Sequence, residues 1–372
     1  MGVVGAGQLA RMMGEAASAV NVELLVLASS LDEAATATAD HVVLGQPDDV
    51  VALRALAQRV DVVTFDHELV NLEQIRALED EGVCVRPNAH ALRFAVDKAY
   101  QRETLREAGF AVPRFLVVGA SDDPLLDSFL DQLDGPPVLK AARGGYDGRG
   151  VLFPPDRATA KSQIDELHGA VVVEERYELR GEVAQLIARA TNGSVQVYPL
   201  VSTVQSDGMC VEVRYPAEVT AALASEAGAL AEQLASLLEA VGILAIEFFV
   251  TDGGLVINEV ALRPHNSGHW TIEGVRTSQF ANHLLAVSGQ PLGDVSALTT
   301  HAVMVNVVGG EQPATPDAAR ALSDLYVHDY GKSWRVGRKL GHVTVLGDDA
   351  ATTHVRAWTG AHHYGTRTRE VS

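Results

Sequence analysis

Residues 138–151, Val-Leu-Lys-Ala-Ala-Arg-Gly-Gly-Tyr-Asp-Gly-Arg-Gly-Val, constrain the chain most, because an apolar strand ending in Lys140 runs directly into a loop of glycines and cations. Four glycines in the seven positions from Gly144 to Gly150 leave backbone N–H groups unobstructed by Cβ atoms. Lys140, Arg143 and Arg149 add charge that peptide dipoles alone do not supply. The combination predicts a mobile flap that grips phosphate. A hairpin turn with scattered cations is the plainer alternative, since Gly-Gly and Asp-Gly favour tight turns. Lysine usage argues for the flap. The chain has only five lysines, Lys98, Lys140, Lys161, Lys332 and Lys339, so arginine does the routine surface work. A compact ammonium at the mouth of a glycine flap (Lys140) and inside Gly-Arg-Lys-Leu-Gly-His (Lys339) suggests a specific need for it.

A chain of 372 residues is too long for one ordinary core, and an apolar content of 47% can fill two or three domains. The net charge of −19 excludes a broad phosphate-backbone surface, so nucleic acid is not an expected partner and any phosphorylated ligand must be held locally. Cys84 and Cys210 stand singly in apolar surroundings, without zinc or disulfide spacing, and are expected to be buried strand residues. No apolar run reaches the length of a membrane span and no signal-peptide pattern opens the chain, which points to a cytoplasmic protein.

The opening run Gly2-Val-Val-Gly5-Ala-Gly7-Gln8-Leu9-Ala10 reads as a strand, a glycine turn and a helix. Further buried strands at 22–28 and 60–65, with helices near 48–59 and 71–81, predict an open, mainly parallel sheet over residues 1–92. An amphipathic helix from Asp97-Lys98 to Ala108 and strands at 114–118, 137–141, 150–153 and 170–175 predict a small α+β lobe over 93–178. Residues 179–298 read as β-rich runs, a long alanine-rich helix at 217–240, a hairpin at 243–260 and a helix closed by Gly289. Alternating apolar residues over 299–372 suggest a small β-rich cap.

Within the hairpin, each strand carries one glutamate in an apolar run, Glu247 and Glu259. A two-residue turn at Asp252-Gly253 pairs Glu247 with Asn258. A three-residue loop through Gly254 pairs Glu247 with Glu259, and this is the expected register. Facing carboxylates in apolar surroundings repel unless a cation lies between them, and Mg²⁺ suits two carboxylates and a nucleotide. Salt bridges to Arg263 and a neighbour are the alternative. The following loop, Arg263-Pro-His265-Asn266-Ser267-Gly-His269, offers a guanidinium, two imidazoles, an amide and a hydroxyl to a small oxyanion or acyl phosphate.

The order Lys98, Lys140 with its flap, Glu174-Glu175-Arg176-Tyr177, Glu182, Glu247, Asn258-Glu259 and the Arg263–His269 loop resembles the ATP-grasp enzymes. The runs Gly-Gly-Tyr146-Asp147-Gly-Arg149-Gly, Arg-Pro-His-Asn-Ser-Gly-His-Trp270 and Gly337-Arg338-Lys339-Leu-Gly-His342 are similar to those of the N5-carboxyaminoimidazole ribonucleotide synthases of purine biosynthesis. The resemblance implies an α/β ATP-grasp fold, with an N-terminal Rossmann-like parallel-sheet domain, a two-lobed nucleotide site and a C-terminal β-rich cap. It implies a homodimeric ligase that uses ATP, Mg²⁺ and bicarbonate to carboxylate 5-aminoimidazole ribonucleotide through carboxyphosphate.

By the same resemblance, Lys98, Lys140 and the flap residues Gly145, Tyr146, Asp147, Gly148, Arg149, Gly150 and Val151 hold ATP phosphates. Glu174, Glu175, Arg176 and Tyr177 face adenine, and Glu182 holds the ribose. Gln205 and Asn258 complete the nucleotide site, and Glu247 and Glu259 hold the metal. Arg263, His265 and Asn266, with Tyr146 and Arg149, are the expected catalytic set. The acceptor lies among Gly7, Gln8, Leu9, Glu68, Lys332, Arg338 and Lys339, its phosphate between the glycine turn and Arg338-Lys339. Asp66 and His67 stand where the family shows glutamate and phenylalanine, so Glu68 rather than Asp66 is the expected ligand. Gln205 replaces an ATP-site histidine but still donates a hydrogen bond.

Gly5-x-Gly7-x-x-Ala10 also fits a dinucleotide fingerprint, but the second strand ends in Ser29-Ser30 rather than an acid. A biotin carboxylase or a formate-dependent transformylase would share the ATP site and differ in acceptor, and a non-catalytic nucleotide sensor is the rival reading from another class. The intact glutamate pair argues against the sensor.

Overall fold

The computed structural model describes residues 1–144, 150–206 and 208–367. Strands β1 (Gly2–Val4), β2 (Leu25–Ala28), β3 (His41–Leu44) and β4 (Val63–Phe65) form a parallel sheet in the order β3-β2-β1-β4. Only β3 escapes the sequence reading. It is a short edge strand with no buried residue, so it lacks the apolar run that marks its neighbours. Helix α1 (Gln8–Ala17) follows β1 and packs Leu9, Ala10, Met12 and Met13 into the core of this domain.

The second sheet, ordered β5-β8-β6-β7, contains β5 (Phe115–Val118), β6 (Val138–Ala141), β7 (Val151–Leu152) and β8 (Val171–Glu174). Leading into it, the helix Lys98–Glu107 starts where predicted because the Asp97 side chain accepts the Tyr100 N–H at 3.1 Å. Gly109, at φ +83°, takes the left-handed conformation just past its end.

The third sheet has nine strands. These are β9 (Gly181–Arg189), β10 (Val195–Val197), β11 (Val201–Ser206), β12 (Met209–Tyr215), β13 (Gly242–Thr251), β14 (Gly254–Ala261), β15 (His301–Val308), β16 (Tyr326–Asp329) and β17 (Lys339–Gly347). Their order is β14-β13-β9-β11-β12-β15-β17-β16, with β10 beside β9. The C-terminal strands therefore extend the nucleotide-lobe sheet through the β12–β15 pairing instead of building a separate one.

The alanine-rich helix runs from Ala221 to Leu238, capped by the Thr220 hydroxyl, which shortens the predicted span at both ends. It buries Ala227, Ala231, Leu234, Ala235 and Leu238 against the sheet. The C-terminal helix Ala350–His363 lies outside the β-rich reading of this region. It buries Ala357, Trp358 and Ala361, and the Trp358 indole donates to Glu212 at 2.9 Å. Cys210 is buried in β12 as expected. Cys84 is only partly buried and precedes the bridge residue Val85 outside any strand, because the chain there is already turning toward the next helix. Among the described residues, no helix is long and apolar enough to cross a membrane.

Candidate active site

A cleft of about 360 Å³ lies between the N-terminal domain and the nine-stranded sheet. Gly7, Gln8, Leu9, Asp66 and Glu68 line one side. Lys98, Gln205, Glu247, Glu259, Arg263, His265, Asn266 and Lys339 line the rest. Residues assigned from sequence to nucleotide, metal, acyl phosphate and acceptor thus share one space.

Glu247 does stand opposite Glu259, but by a route the sequence reading did not choose. The loop has two residues, with Thr251 opposite Gly254 and Phe248 opposite Ile257. A bulge at Asn258, not a three-residue loop, supplies the shift that brings Glu259 opposite Glu247. The bulge is held by two cations of the neighbouring small lobe. Arg102 donates to the Asn258 carbonyl at 2.5 Å, and Lys140 Nζ donates to Asn258 Oδ1 at 3.1 Å.

Burial in the cleft floor, together with the Glu259 and Glu182 carboxylates, pushes Glu247 up to about 8. For Glu259 burial also acts upward, but the Lys98 ammonium at 2.6 Å outweighs it and holds the carboxyl at about 2. The Glu259 side chain is 48% exposed to the open cleft, so solvent screens that attraction. His265 Nε2 lies 3.9 Å from Glu247 Oε1. Two oxygen-only ligands, one of them reluctant to ionise alone, suit a divalent cation with bound nucleotide phosphates.

Below the cleft, Glu174 is almost fully buried between Lys140 (2.7 Å) and Arg102 (2.5 Å). Burial raises its affinity for a proton, yet these two cations bring it down to about 2. The same burial lowers the Lys140 ammonium, against the pull of Glu174. The Glu174 side chain therefore anchors Lys140. Glu175 turns to Arg114 at 2.9 Å, and the Arg176 guanidinium lies 5.6 Å from the Phe153 ring centre. The Tyr177 hydroxyl is raised by burial. Glu182, on β9, is pushed up to about 7 by burial, with Lys140 opposing. Gly150 and Val151 close onto β6, where the Gly150 carbonyl accepts the Ala141 N–H and Val151 pairs with Lys140. Gly145, Tyr146, Asp147, Gly148 and Arg149, and with them the flap reading, lie outside the described residues.

On the acceptor side, Arg263 donates to Glu68 Oε2 at 2.6 Å. Lys332 donates to the Gln8 side chain, and Lys339 is buried at the start of β17. Arg338 bonds the Ser333 hydroxyl at 2.8 Å and does not line the cleft. The Arg263–His269 loop gives the cleft fewer donors than its sequence suggests. Ser267 is buried against His265 Nδ1 at 2.9 Å. His269 is fully buried, its imidazole held well below its ordinary pKa chiefly by burial, tilted against His342 at 4.9 Å, on which His328 stacks. Arg263, His265 and Asn266 are the ones that reach the cleft.

Two positions beside the cleft take partners that sequence reasoning does not reach. Arg102 reads as an ordinary helix-surface cation until Glu174 is placed beside it. Asp66, discounted as a ligand, accepts the Gly7 N–H at 2.6 Å and the Ala10 N–H at 2.8 Å.

A glutamate pair on adjacent strands, two lysines from the neighbouring lobe and a preceding parallel-sheet domain define an ATP-grasp ligase. Residues 103–280 match the ATP-grasp domain family, residues 1–96 the ribonucleotide synthetase preATP-grasp domain, and residues 302–356 the phosphoribosylaminoimidazole carboxylase C-terminal domain. The N5-carboxyaminoimidazole ribonucleotide synthase of Mycobacterium tuberculosis H37Rv is 47% identical, over 97% of this chain and 86% of its own length. That of Corynebacterium ammoniagenes is 39% identical, over 94% of this chain and 88% of its own. An ADP complex of an N5-carboxyaminoimidazole ribonucleotide synthetase superposes with a TM-score of 0.91 at 31% identity, covering 98% of this chain and 96% of the other. The Aspergillus clavatus enzyme with ADP and 5-aminoimidazole ribonucleotide gives 0.88 at 28% identity, covering 98% and 97%. The chain belongs to the N5-carboxyaminoimidazole ribonucleotide synthase family, ATP-dependent ligases that form a carbon–nitrogen bond in purine biosynthesis.

Proposed function

We propose that this chain carboxylates the amine of 5-aminoimidazole ribonucleotide with bicarbonate, through carboxyphosphate. The observation that carries this is the shared cleft, in which the Glu247–Glu259 pair and the acceptor-side residues Gln8, Glu68 and Lys339 line one volume. A bicarbonate oxygen attacks the γ-phosphorus of ATP and ADP leaves. The acceptor amine then takes the carboxyl, directly or from released CO₂, and phosphate and a proton depart. Bicarbonate is a poor electrophile, and carboxyphosphate is short-lived in water, so activation and transfer belong in one enclosed space.

In this reading Lys98 and Lys140 hold phosphate oxygens, with the flap residues Gly145–Val151. The strand Glu174–Tyr177 borders adenine, Glu182 accepts from the ribose hydroxyls, and Gln205 and Asn258 supply amides. Glu247 and Glu259 would hold Mg²⁺, which when bound offsets charge on the transferring phosphoryl group. Arg263, His265 and Asn266 present a cation and donors to the acyl phosphate, and Tyr146 and Arg149 complete the set. Gly7, Gln8, Leu9, Glu68, Lys332 and Lys339 surround the acceptor, and Arg338, turned to Ser333 outside the cleft, is left out of that set. The enzyme acts in the cytoplasm, where ATP and its ribonucleotide acceptor occur, and as a homodimer, which sedimentation would check.

ADP release measured with bicarbonate, formate or biotin, each with and without 5-aminoimidazole ribonucleotide, tests the reading. Bicarbonate-dependent ADP release coupled to carboxylated product is expected. Acceptor-stimulated turnover with formate or biotin in place of bicarbonate would overturn it.

A further inference from the structure

The Arg263–His269 loop can aim side chains into the cleft only if its backbone is held in one place. Gln279, at the start of the helix Gln279–Ser288 and fully buried, supplies that hold. Its Oε1 accepts the His265 N–H at 2.8 Å, and its Nε2 donates to the His265 carbonyl at 2.7 Å and faces His269 Nδ1 at 3.4 Å. A backbone donor and a backbone acceptor on one residue fix which end of the amide is oxygen. Gly268 leaves room for this approach, since a Cβ there would lie 2.5 Å from Gln279 Cδ. The ring of His265 is then turned by Ser267, whose N–H donates to Nδ1 at 3.4 Å and whose hydroxyl lies 2.9 Å from the same atom. Nδ1 is thereby the acceptor, and Nε2 carries the ring hydrogen, 3.9 Å from Glu247 Oε1. The helix that holds His265 is also tied to β13, the strand of Glu247, because His283 Nδ1 accepts the Ile243 N–H at 3.2 Å. One helix thus sets the imidazole and the carboxylate relative to each other.

We propose that Gln279 is a positioning residue for the carboxyphosphate step: its amide pairs with both backbone groups of His265 and holds the imidazole against the Glu247 side of the cleft. The far end of the loop is secured separately. Thr271 Oγ1 accepts the Gln279 N–H at 3.0 Å and donates to the Gly268 carbonyl at 2.5 Å, so the Gln279 side chain bears on His265 in particular. The proposal rests on the reading above that puts His265 on the acyl phosphate, and adds the residue that keeps it there.

The test is a double-mutant cycle in steady-state kinetics of the enzyme, following carboxylated product. Gln279→Met keeps the length of the side chain without its amide. It should lower kcat by about tenfold to a hundredfold, as for a reacting group displaced by about an ångström, with KM for ATP and for the ribonucleotide within about twofold of the parent. In a His265→Ala background the same substitution should cost about twofold or less, because the group it positions is gone. Gln279→Asn, one methylene short of the His265 backbone, should behave as Gln279→Met does, and it decides the matter if Gln279→Met fails to fold. Equal losses of kcat in both backgrounds, a raised KM with kcat intact, or parent kinetics in a folded Gln279 variant would overturn the proposal. A His265→Ala enzyme with the parent kcat would instead remove the reading of His265 beneath it, and the proposal with it.

Discussion

The Lys98 ammonium lies 2.6 Å from Glu259 Oε1, so a lysine expected on ATP phosphates and a carboxylate expected on the metal hold each other. In the proposed reading, a phosphate on Lys98 and a cation on Glu259 would each replace the partner that the other residue gives up. Glu259→Gln should therefore lower ATP turnover by roughly a hundredfold or more while leaving the circular dichroism spectrum unchanged. ADP release at near the parent rate would refute the metal assignment.

Lys339 sits at the start of β17, in the part of the sheet contributed by the C-terminal region. Lys339→Ala should raise KM for the ribonucleotide by about tenfold to a hundredfold, as expected for a lost charge-assisted contact, with KM for ATP within about twofold. Equal weakening of both substrates would place this lysine at the nucleotide.

Glu182 titrates at about 7, chiefly because it is buried. Below that pH it is protonated and a weaker acceptor for ribose hydroxyls; above it the carboxylate accepts fully. KM for ATP should thus fall as pH rises from 6 to 8, and Glu182→Gln should abolish that trend. A parallel profile in the variant would assign the titration to another group.

Glu174 is held at about 2, below the ordinary carboxylate value of 4.5, by Arg102 and Lys140 acting against burial. A carboxyl depressed by folding contributes stability that is fully present above about 4.5 and is lost as pH falls toward about 2. The amount is about 3 kcal/mol. Glu174→Gln should be destabilised near pH 7, since it strands two buried cations, yet lose less further stability than the parent between pH 4.5 and 2. Urea unfolding at a series of pH values measures both effects.

The carboxylate pair is legible in sequence because each glutamate interrupts an apolar strand, and the adjoining turn limits the registers to two. The bulge that selects between them is not legible. It depends on Arg102 and Lys140 reaching Asn258 from more than a hundred residues away, and local turn chemistry contains nothing of that contact. The capping role of Asp66 is not legible for a similar reason. In the chain it is one acid beside another, and only the parallel pairing of β1 with β4 brings it beneath the glycine turn. The histidines at 265 and 269 look equivalent in sequence, but one lines the cleft and the other is sealed in the core, a difference set by packing against His342. The helix Ala350–His363 goes unread within the β-rich cap because its buried positions cluster on one narrow stripe among threonines and histidines.

The pairing of β12 with β15 leaves the nine-stranded sheet without a seam between Glu247 on β13 and Lys339 on β17. Amide hydrogen exchange should reveal this as cooperativity. Freeing the inner strand β15 means breaking its ladders to both β12 and β17, so a nucleotide bound at β13 and β14, as proposed, should protect amides in the C-terminal strands as well. Loading the first substrate would then stiffen the wall against which the second is received.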